Sequence, residues 1–330
     1  MATKKTVLVC GSVAMRELPE LTPYAEVYSL EQLSQPTLDS TLGSVDCMLV
    51  GQLWPKALGR ETLARMKQLR FVQLGFAGAN HVPFQSLPPG VTVCSNAGAF
   101  STGVAEYTWA LVLAAAKRIT RFDTALRNGE NSPDFFSKTL KGVALLQGKS
   151  LGIIGYGGIG HRVALFGRAF GMEVLAYSRH SQPEPQTRTF QGREGLLQML
   201  RMADVLIVSI ALTNKTQGLV GTQELSVMKP NAIVVNIARS EIFNEQELYN
   251  HMIANPGFTY ATDVWHEVAG VDARSSTLPF LELDNFIGTP HVSGPSEMAT
   301  GEPIRLAVEN LLRYLKDESP RNVVDTSEYT

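Results

Sequence analysis

The sequence predicts an α/β protein built on two parallel β-sheets, and three observations carry that prediction. The chain has 330 residues, which at roughly 150 residues per domain suggests about two domains. Hydrophobic residues make up 44% of it and charged residues 18%, a compact globular composition. Short β-branched runs alternate with amphipathic stretches along the whole chain, the pattern of βα units that build parallel sheets.

The first hundred residues predict a small α/β domain. The amphipathic segment Gly59–Met66 is typical of a helix lying between two strands. The strands are expected where β-branched and aromatic residues cluster, at Thr6–Cys10, Ala25–Tyr28, Val45–Gly51, Phe71–Phe76 and Val91–Ser95.

A long helix is predicted next, over Val104–Arg127. Its first half is apolar nearly all round, so we expect it to be buried between domains or between subunits. The polar segment Arg127–Ser137 contains Asn, Gly, Asp and Pro and predicts a loop.

A second and more regular βα series begins at Ser150. Its six predicted strands, with helices between most of them, match two mononucleotide-binding halves. A final helix is expected within Ser296–Lys316, before Pro320. The six strands are Leu151–Ile154, Glu173–Tyr177, Val205–Ile210, Ala232–Ile237, Phe258–Val264 and Phe286–Gly288.

Charge and composition argue against several classes of partner. The chain has 29 Lys and Arg against 31 Asp and Glu, with no dense basic stretch, so we expect no nucleic-acid partner. No apolar run approaches the ~20 residues of a membrane span. Cys10, Cys47 and Cys94 match neither a metal spacing nor a disulfide framework. We therefore expect a cytoplasmic protein with no membrane partner and no metal.

The clearest chemical signal is a glycine-rich turn between the strand Leu151–Ile154 and an amphipathic helix. Its first glycine permits a tight turn, its second lets a pyrophosphate approach the backbone, and its third packs helix on strand. A glycine-rich turn of some other α/β protein is the alternative. The predicted dinucleotide-binding turn consists of Gly155, Tyr156, Gly157, Gly158, Ile159 and Gly160.

The end of the following strand bears on which dinucleotide binds. An acidic residue there would bind the ribose 2′-hydroxyl, but the chain has Ser178, Arg179 and His180. A hydroxyl and a guanidinium can hold a 2′-phosphate. This predicts a preference for NADP(H), with NAD(H) as the other cofactor. The alternative is that Arg179 is a solvated loop residue and the protein accepts both.

Several separated segments resemble the family of D-isomer-specific 2-hydroxyacid dehydrogenases, which includes glyoxylate and hydroxypyruvate reductases. The resemblance implies a Rossmann dinucleotide-binding domain (101–292) inserted in a smaller flavodoxin-like α/β substrate domain (1–100 plus 293–330). It also implies a catalytic cleft between the two and a homodimer. The segments occur in the family order and are Leu145–Gly160, Leu212–Val220, Met228–Ala232, Val235–Ser240, Asp263–Trp265 and Thr289–Gly294.

The resemblance also implies roles for individual residues in reducing a 2-oxo acid. His291 would exchange the proton and Arg239 would clamp the substrate oxygens, tasks that suit an imidazole and a guanidinium. Backbone N–H groups in the loop Phe76, Ala77 and Gly78 would hold the substrate carboxylate. Further cofactor contacts are implied for Ala211, Thr216, Ile237, Ala238 and Asp263, together with Arg239 and His291.

One departure from the family concerns the partner of His291. The family has a glutamate five residues after the aspartate, where this chain has Val268, and Glu267 stands one place early. Either the loop is one residue shorter and Glu267 is the catalytic partner, or His291 lacks its carboxylate. The first is favoured because a loop containing Gly270 absorbs a one-residue shift more easily.

Smaller departures are Ser240, where the family usually has glycine, and Ala211, where it has proline. The candidate pocket walls are Leu53, Trp54, Phe76 and Trp265, which would favour an apolar substrate side chain. The rival to an enzyme is a cofactor-binding regulatory or scaffold protein of the same fold with little turnover.

Overall fold

The computed structural model divides into two compact units, Met1–Phe100 with Ser296–Thr330, and Ser101–Pro295. Each has its own sheet and core. The structure describes residues 4–11, 18–51, 54–179, 185–268, 271–272, 276–294 and 301–330.

The first unit is built on five parallel strands in the order β2-β1-β3-β4-β5. This is the flavodoxin order, as predicted. Burial explains the strands, since nearly every residue of β1, β3 and β4 lies in the core. The elements are β1 (Lys5–Cys10), β2 (Ala25–Ser29), α1 (Gln35–Thr41), β3 (Val45–Val50), α2 (Arg60–Arg65), β4 (Phe71–Leu74) and β5 (Thr92–Cys94).

Three helices open the second unit, where one helix and a loop were predicted. They are α3 (Ser101–Lys117), α4 (Ile119–Arg127) and α5 (Pro133–Leu140). The predicted helix is interrupted at Arg118, whose φ of 52° is left-handed. The loop prediction is wrong from Pro133 onward, because the Ser132 side chain accepts a hydrogen bond from the N–H of Phe135 and caps α5.

The second sheet has seven parallel strands in the order β14-β11-β10-β9-β6-β7-β8. The order reverses at β6, and the carboxyl ends of strands at such a point form the usual ligand crevice. The elements are β6 (Ser150–Ile154), α6 (Gly158–Ala169), β7 (Glu173–Tyr177), β8 (Thr187–Phe190), α7 (Gly192–Met202), β9 (Val205–Val208), α8 (Thr222–Ser226), β10 (Ile233–Asn236), α9 (Glu245–Ala254), β11 (Thr259–Thr262), the antiparallel pair β12 (Glu267–Val268) and β13 (Val271–Asp272), and β14 (Phe286–Gly288).

All six strands predicted for this sheet are present, and β8 is the one that was missed. It lies at the sheet edge, and only Phe190 of its four residues is buried. An edge strand with solvated side chains lacks the apolar run by which a buried strand is recognised.

Helix α3 is buried within its own unit on one side. It packs against α6 and β10, and the indole N–H of Trp109 donates to the carbonyl of Val163 over 3.1 Å. The predicted burial therefore arises in part from packing inside the second unit, where an interface between domains or subunits was expected.

The chain returns to the first unit in α10 (Glu302–Leu315), which packs against β4. Its apolar face, including Ala307 and Leu311, joins the core of the first sheet. Two buried amides link helix and strand, because Asn310 Nδ2 donates to Gln73 Oε1 over 2.7 Å. The apolar face of α10 is thus part of the first unit's core.

A half-buried histidine makes stability pH-dependent. His251 of α9 packs edge-on against Phe258, with ring centroids 4.8 Å apart, and burial lowers its pKa from the ordinary 6.5. The unfolded chain then binds a proton that the folded chain resists, so stability is complete above that value and falls below it. Between about pH 7.5 and about pH 5, the melting temperature should fall a few degrees more than that of His251→Gln. Parallel melting curves for the two proteins would contradict this.

The described ranges contain neither a membrane-spanning helix nor a cluster of metal ligands. None of their helices combines the length and apolar character needed to cross a bilayer. No group of three or more His, Cys, Asp or Glu side chains there could hold a metal ion. Cys10, Cys47 and Cys94 are free thiols buried in the first unit.

Candidate active site

The three motif glycines of the turn after β6 differ in what surrounds their Cβ positions. Gly155 has a φ of 95°, and a Cβ there would lie 2.6 Å from the backbone nitrogen of Ile210. A Cβ on Gly160 would collide with the carbonyl oxygen of Gly155. Gly157 has nothing within 4 Å of its Cβ position. Two glycines are thus required by packing and one leaves open space, which fits the approach of a pyrophosphate.

The first backbone N–H groups of α6 lie at this turn. Gly157 is the N-cap of α6 and offers no side-chain cap, so the first N–H groups of the helix can bind an anion. The residue that follows β9 fixes the turn, because the Ser209 hydroxyl donates to the Gly155 carbonyl over 2.7 Å. Gly158 is exposed, Ile159 is half-buried and Gly160 is buried.

Tyr156, the second residue of the turn, is held on the β8 side. Its hydroxyl lies 3.2 Å from the hydroxyl of Thr187 and accepts from Arg168 over 3.3 Å. Its ring packs against that of His161, with centroids 4.1 Å apart and the ring planes tilted by 36°. Arg168 and Thr187 were not predicted from the sequence, because neither belongs to a recognisable motif.

The end of β7 presents the residues predicted to select the cofactor. Ser178 is half-buried and Arg179 is exposed. The N–H of Ser178 donates to Phe190 over 3.2 Å, and the Gln191 side chain donates to the carbonyl of Arg179 over 3.0 Å. These bonds fix the backbone of the segment. His180 lies outside the described residues.

After β9, Thr216 shapes the loop that begins at Ala211. Its hydroxyl donates to the Ala211 carbonyl over 2.7 Å and accepts from the N–H of Thr213 over 2.8 Å. Ala211 itself is exposed. Thr216 therefore acts on the shape of the loop in which both predicted cofactor contacts stand.

After β10, the turn from Asn236 to Arg239 is built around a buried amide. Asn236 is fully buried, its Nδ2 donates to the Arg239 carbonyl over 2.9 Å, and its Oδ1 accepts from the N–H of Ala238 over 3.1 Å. Its Nδ2 also donates to the Tyr260 hydroxyl. Burial raises the pKa of Tyr260 to about 12, so this hydroxyl stays protonated. Arg239 is half-buried at the end of a rigid turn, after the buried Ile237.

Ser240, which replaces the family glycine, causes no visible crowding. It is 3% exposed and its hydroxyl donates to Glu241 over 2.9 Å. Arg239 Nη1 donates to the Ala238 carbonyl over 2.7 Å.

After β11, the carboxylate of Asp263 holds the segment that carries His291. Oδ1 accepts from the Thr289 hydroxyl over 2.6 Å and from the N–H of Val292 over 3.0 Å, and Oδ2 accepts from the N–H of Ser293 over 2.7 Å. His291 has an exposed side chain and a left-handed φ of 56°. The predicted contact of Asp263 with a nicotinamide stays a prediction.

The predicted partner of the histidine stands in the short strand β12. Glu267 is opposite Asp272 in the register of β12 and β13. The side chains of Glu267 and Val268 lie outside the described residues, so both alternatives for the partner of His291 stay predictions. Nearby, the indole N–H of Trp265 donates to the Thr289 carbonyl over 2.8 Å.

In the first unit, the loop Phe76–Gly78 follows β4 and is fixed by Asn96. The Asn96 side chain donates to the carbonyl of Gly75 over 3.1 Å, and its backbone N–H donates to Phe76 over 2.9 Å. Ala77 is exposed and Gly78 half-buried. The loop is thus a fixed backbone segment with an accessible centre.

Two of the candidate pocket walls in the first unit, Phe76 and Trp54, have identified partners. Phe76 packs near His81, with ring centroids 5.5 Å apart. Trp54 is half-buried and donates to the Leu58 carbonyl over 3.0 Å. Leu53 lies outside the described residues.

Comparison with known proteins identifies the family. Residues 109–293 match the family model described as "D-isomer specific 2-hydroxyacid dehydrogenase, NAD binding domain". This chain belongs to that family. The sequence-based resemblance and the predicted Rossmann fold are confirmed.

Individual D-isomer specific 2-hydroxyacid dehydrogenases align with most of the chain. A glyoxylate reductase of Aeropyrum pernix is 28% identical over 324 residues, which are 97% of this chain and 95% of the relative. A D-3-phosphoglycerate dehydrogenase of Methanocaldococcus jannaschii is 31% identical over 81% of this chain. The chain spans about half the length of that relative, 49%.

A solved structure shows the same architecture. A crystal structure from Pyrobaculum aerophilum, provisionally described as a formate dehydrogenase, has a TM-score of 0.82 and 30% identity. The match covers 99% of this chain and all of that one. The α/β architecture of this family member is therefore one already known from crystal structures.

Proposed function

We propose that the protein is an oxidoreductase that transfers a hydride between NADP(H) and C2 of a 2-oxo or D-2-hydroxy acid. One observation carries the proposal: Arg239 and His291 each stand on a turn that a buried polar side chain holds at the carboxyl end of the second sheet. That sheet also carries the glycine turn that fits a dinucleotide. Relatives named glyoxylate reductase and hydroxypyruvate reductase have the matching chemistry.

The roles of the residues follow from their chemistry. When bound, the nicotinamide ring supplies or accepts the hydride. The planar fork of Arg239 would hold carboxylate and carbonyl oxygens of the substrate. His291 would give a proton to the carbonyl oxygen during reduction and take it back during oxidation, and its exposed ring can exchange that proton with water.

The two units would divide the work. We propose that residues 101–292 bind the dinucleotide and that residues 1–100 with 293–330 contribute substrate contacts. The fixed loop of Phe76, Ala77 and Gly78 would offer backbone N–H groups to a carboxylate. A homodimer and a cytoplasmic location remain predictions.

The test is a spectrophotometric assay with NADPH or NADH and a panel of 2-oxo acids. Glyoxylate, hydroxypyruvate, pyruvate and bulkier 2-oxo acids would be offered, and loss of reduced-cofactor absorbance measured. Turnover of at least one acid supports the proposal. Tight cofactor binding without any turnover would instead identify a regulatory or scaffold protein.

The cofactor preference can be tested at Arg179. A guanidinium bonded to a 2′-phosphate contributes a charge-assisted interaction, so Arg179→Ala should lower kcat/KM for NADPH by about tenfold to a hundredfold. The value for NADH should hardly change. Arg201→Ala is a matched control, since Arg201 is an exposed arginine on α7 that pairs with Glu194. Equal losses with both cofactors would show that Arg179 does not read the 2′-phosphate.

A further inference from the structure

We propose that Asp263 is a positioning residue for His291, acting through the backbone on which the imidazole stands. This inference rests on the proposed role of His291. It assigns Asp263 a function different from the nicotinamide contact that the family resemblance implies.

The carboxylate of Asp263 is inaccessible to solvent. The residue is 0% exposed, so no ligand can touch its carboxylate unless the covering residues move. Oδ1 already accepts two hydrogen bonds and Oδ2 accepts one. All three donors belong to residues Thr289, Val292 and Ser293. The carboxylate is therefore committed to one short segment of the chain.

His291 stands between the residues that donate to Asp263. One donor comes two residues before it and the other two come directly after it. The segment is also tied at its start, where the N–H of Thr289 donates to the Thr262 carbonyl over 2.9 Å. His291 is thus bracketed by bonds to one strand end.

The backbone of His291 has an unusual conformation. Its φ of 56° is left-handed, a region that residues other than glycine rarely adopt without surrounding constraints. The bonds to Asp263 on both sides supply such constraints. Without them the segment can relax, and the imidazole then leaves the direction in which the turn now holds it.

The test compares Asp263→Asn with Thr289→Val. The asparagine is the same size but places an NH₂ group where a backbone N–H now donates, so at least one bond is lost. The valine removes only the hydroxyl bond. Because misplacing a reacting group by about 1 Å can cost on the order of a hundredfold, we expect kcat of Asp263→Asn to fall by about ten- to a hundredfold. Thr289→Val should lose less.

Two further readouts separate positioning from cofactor contact. Amide hydrogen exchange at Val292 and Ser293 should accelerate in Asp263→Asn, and NADPH affinity should stay within about threefold of the unmodified protein. Glu224→Gln is the matched control, because Glu224 is a buried carboxylate that accepts a backbone N–H elsewhere in the second unit. It should leave kcat and both amides unchanged.

The outcomes are distinct. Unchanged exchange at both amides, or a loss of NADPH affinity with kcat retained, would overturn the inference. If Asp263→Asn does not fold, Thr289→Val carries the test through the same amides. If the unmodified protein turns over no 2-oxo acid, the proposed function fails, whereas the exchange measurement still reports whether Asp263 holds the segment.

Discussion

Replacing Arg239 with glutamine should lower kcat/KM for a reducible 2-oxo acid by about a thousandfold. A guanidinium that binds carboxylate and carbonyl oxygens makes two charge-assisted hydrogen bonds, each contributing about 1.5–3 kcal/mol. Glutamine keeps one donor group but loses the charge and the planar fork. Steady-state kinetics with the best acid from the panel measures the loss.

The effect should arise from the side chain alone. The carbonyl of Arg239 is held by Asn236, so the turn has a backbone anchor that the substitution leaves in place. Arg239→Lys retains the charge without the fork and should lie between the two proteins. If Arg239→Gln keeps kcat/KM within threefold while its melting temperature matches that of the unmodified protein, the clamp assignment is wrong.

Replacing His291 with asparagine should lower kcat by about a hundredfold to ten-thousandfold. Loss of a general acid or base typically has an effect of this size. Asparagine is the suitable replacement because it tolerates the left-handed φ of 56° better than most residues. The segment should therefore keep its shape while losing the proton carrier.

The pH dependence of kcat provides the control for this prediction. The limb of the profile that depends on His291 should disappear in His291→Asn. A His291→Asn protein of undiminished kcat would rule out His291 as the proton donor.

The pH profile of Glu267→Gln decides between the two alternatives for the partner of His291. A lower kcat with a displaced limb would support Glu267. A profile superimposable on that of the unmodified protein would support a histidine without that carboxylate.

The parts of the fold that were predictable have strong local signals. Buried parallel strands such as β9 and β10 are rich in Val and Ile, and they lie where those residues predict them. The missed helix α5 begins with Ser132 and Pro133, residues that indicate a turn as well as a helix start. The break at Arg118 has neither glycine nor proline to mark it.

The candidate site shows a similar division. The glycine turn could be predicted because its glycine spacing and its flanking strand and helix are all local in sequence, and two of its three motif glycines meet a steric need. The supports of the two proposed catalytic residues could not, because no local sequence pattern marks Asn236 or Asp263 as a support. Asn236 occupies an ordinary strand position, and only the structure shows that its amide donates to Arg239 and Tyr260. The residues that donate to Asp263 lie 26 to 30 positions away from it in the sequence.

The interleaved path of the chain has a consequence for its biosynthesis. The core of the first unit contains α10, and Val324 also donates its N–H to the carbonyl of Val93 over 2.8 Å. A ribosome makes those residues only after the whole second unit, so the first hundred residues cannot complete their core before then. The second unit is continuous in sequence and can fold while translation proceeds. Until α10 has been synthesised, the nascent chain would expose the apolar surface of the first sheet that this helix covers.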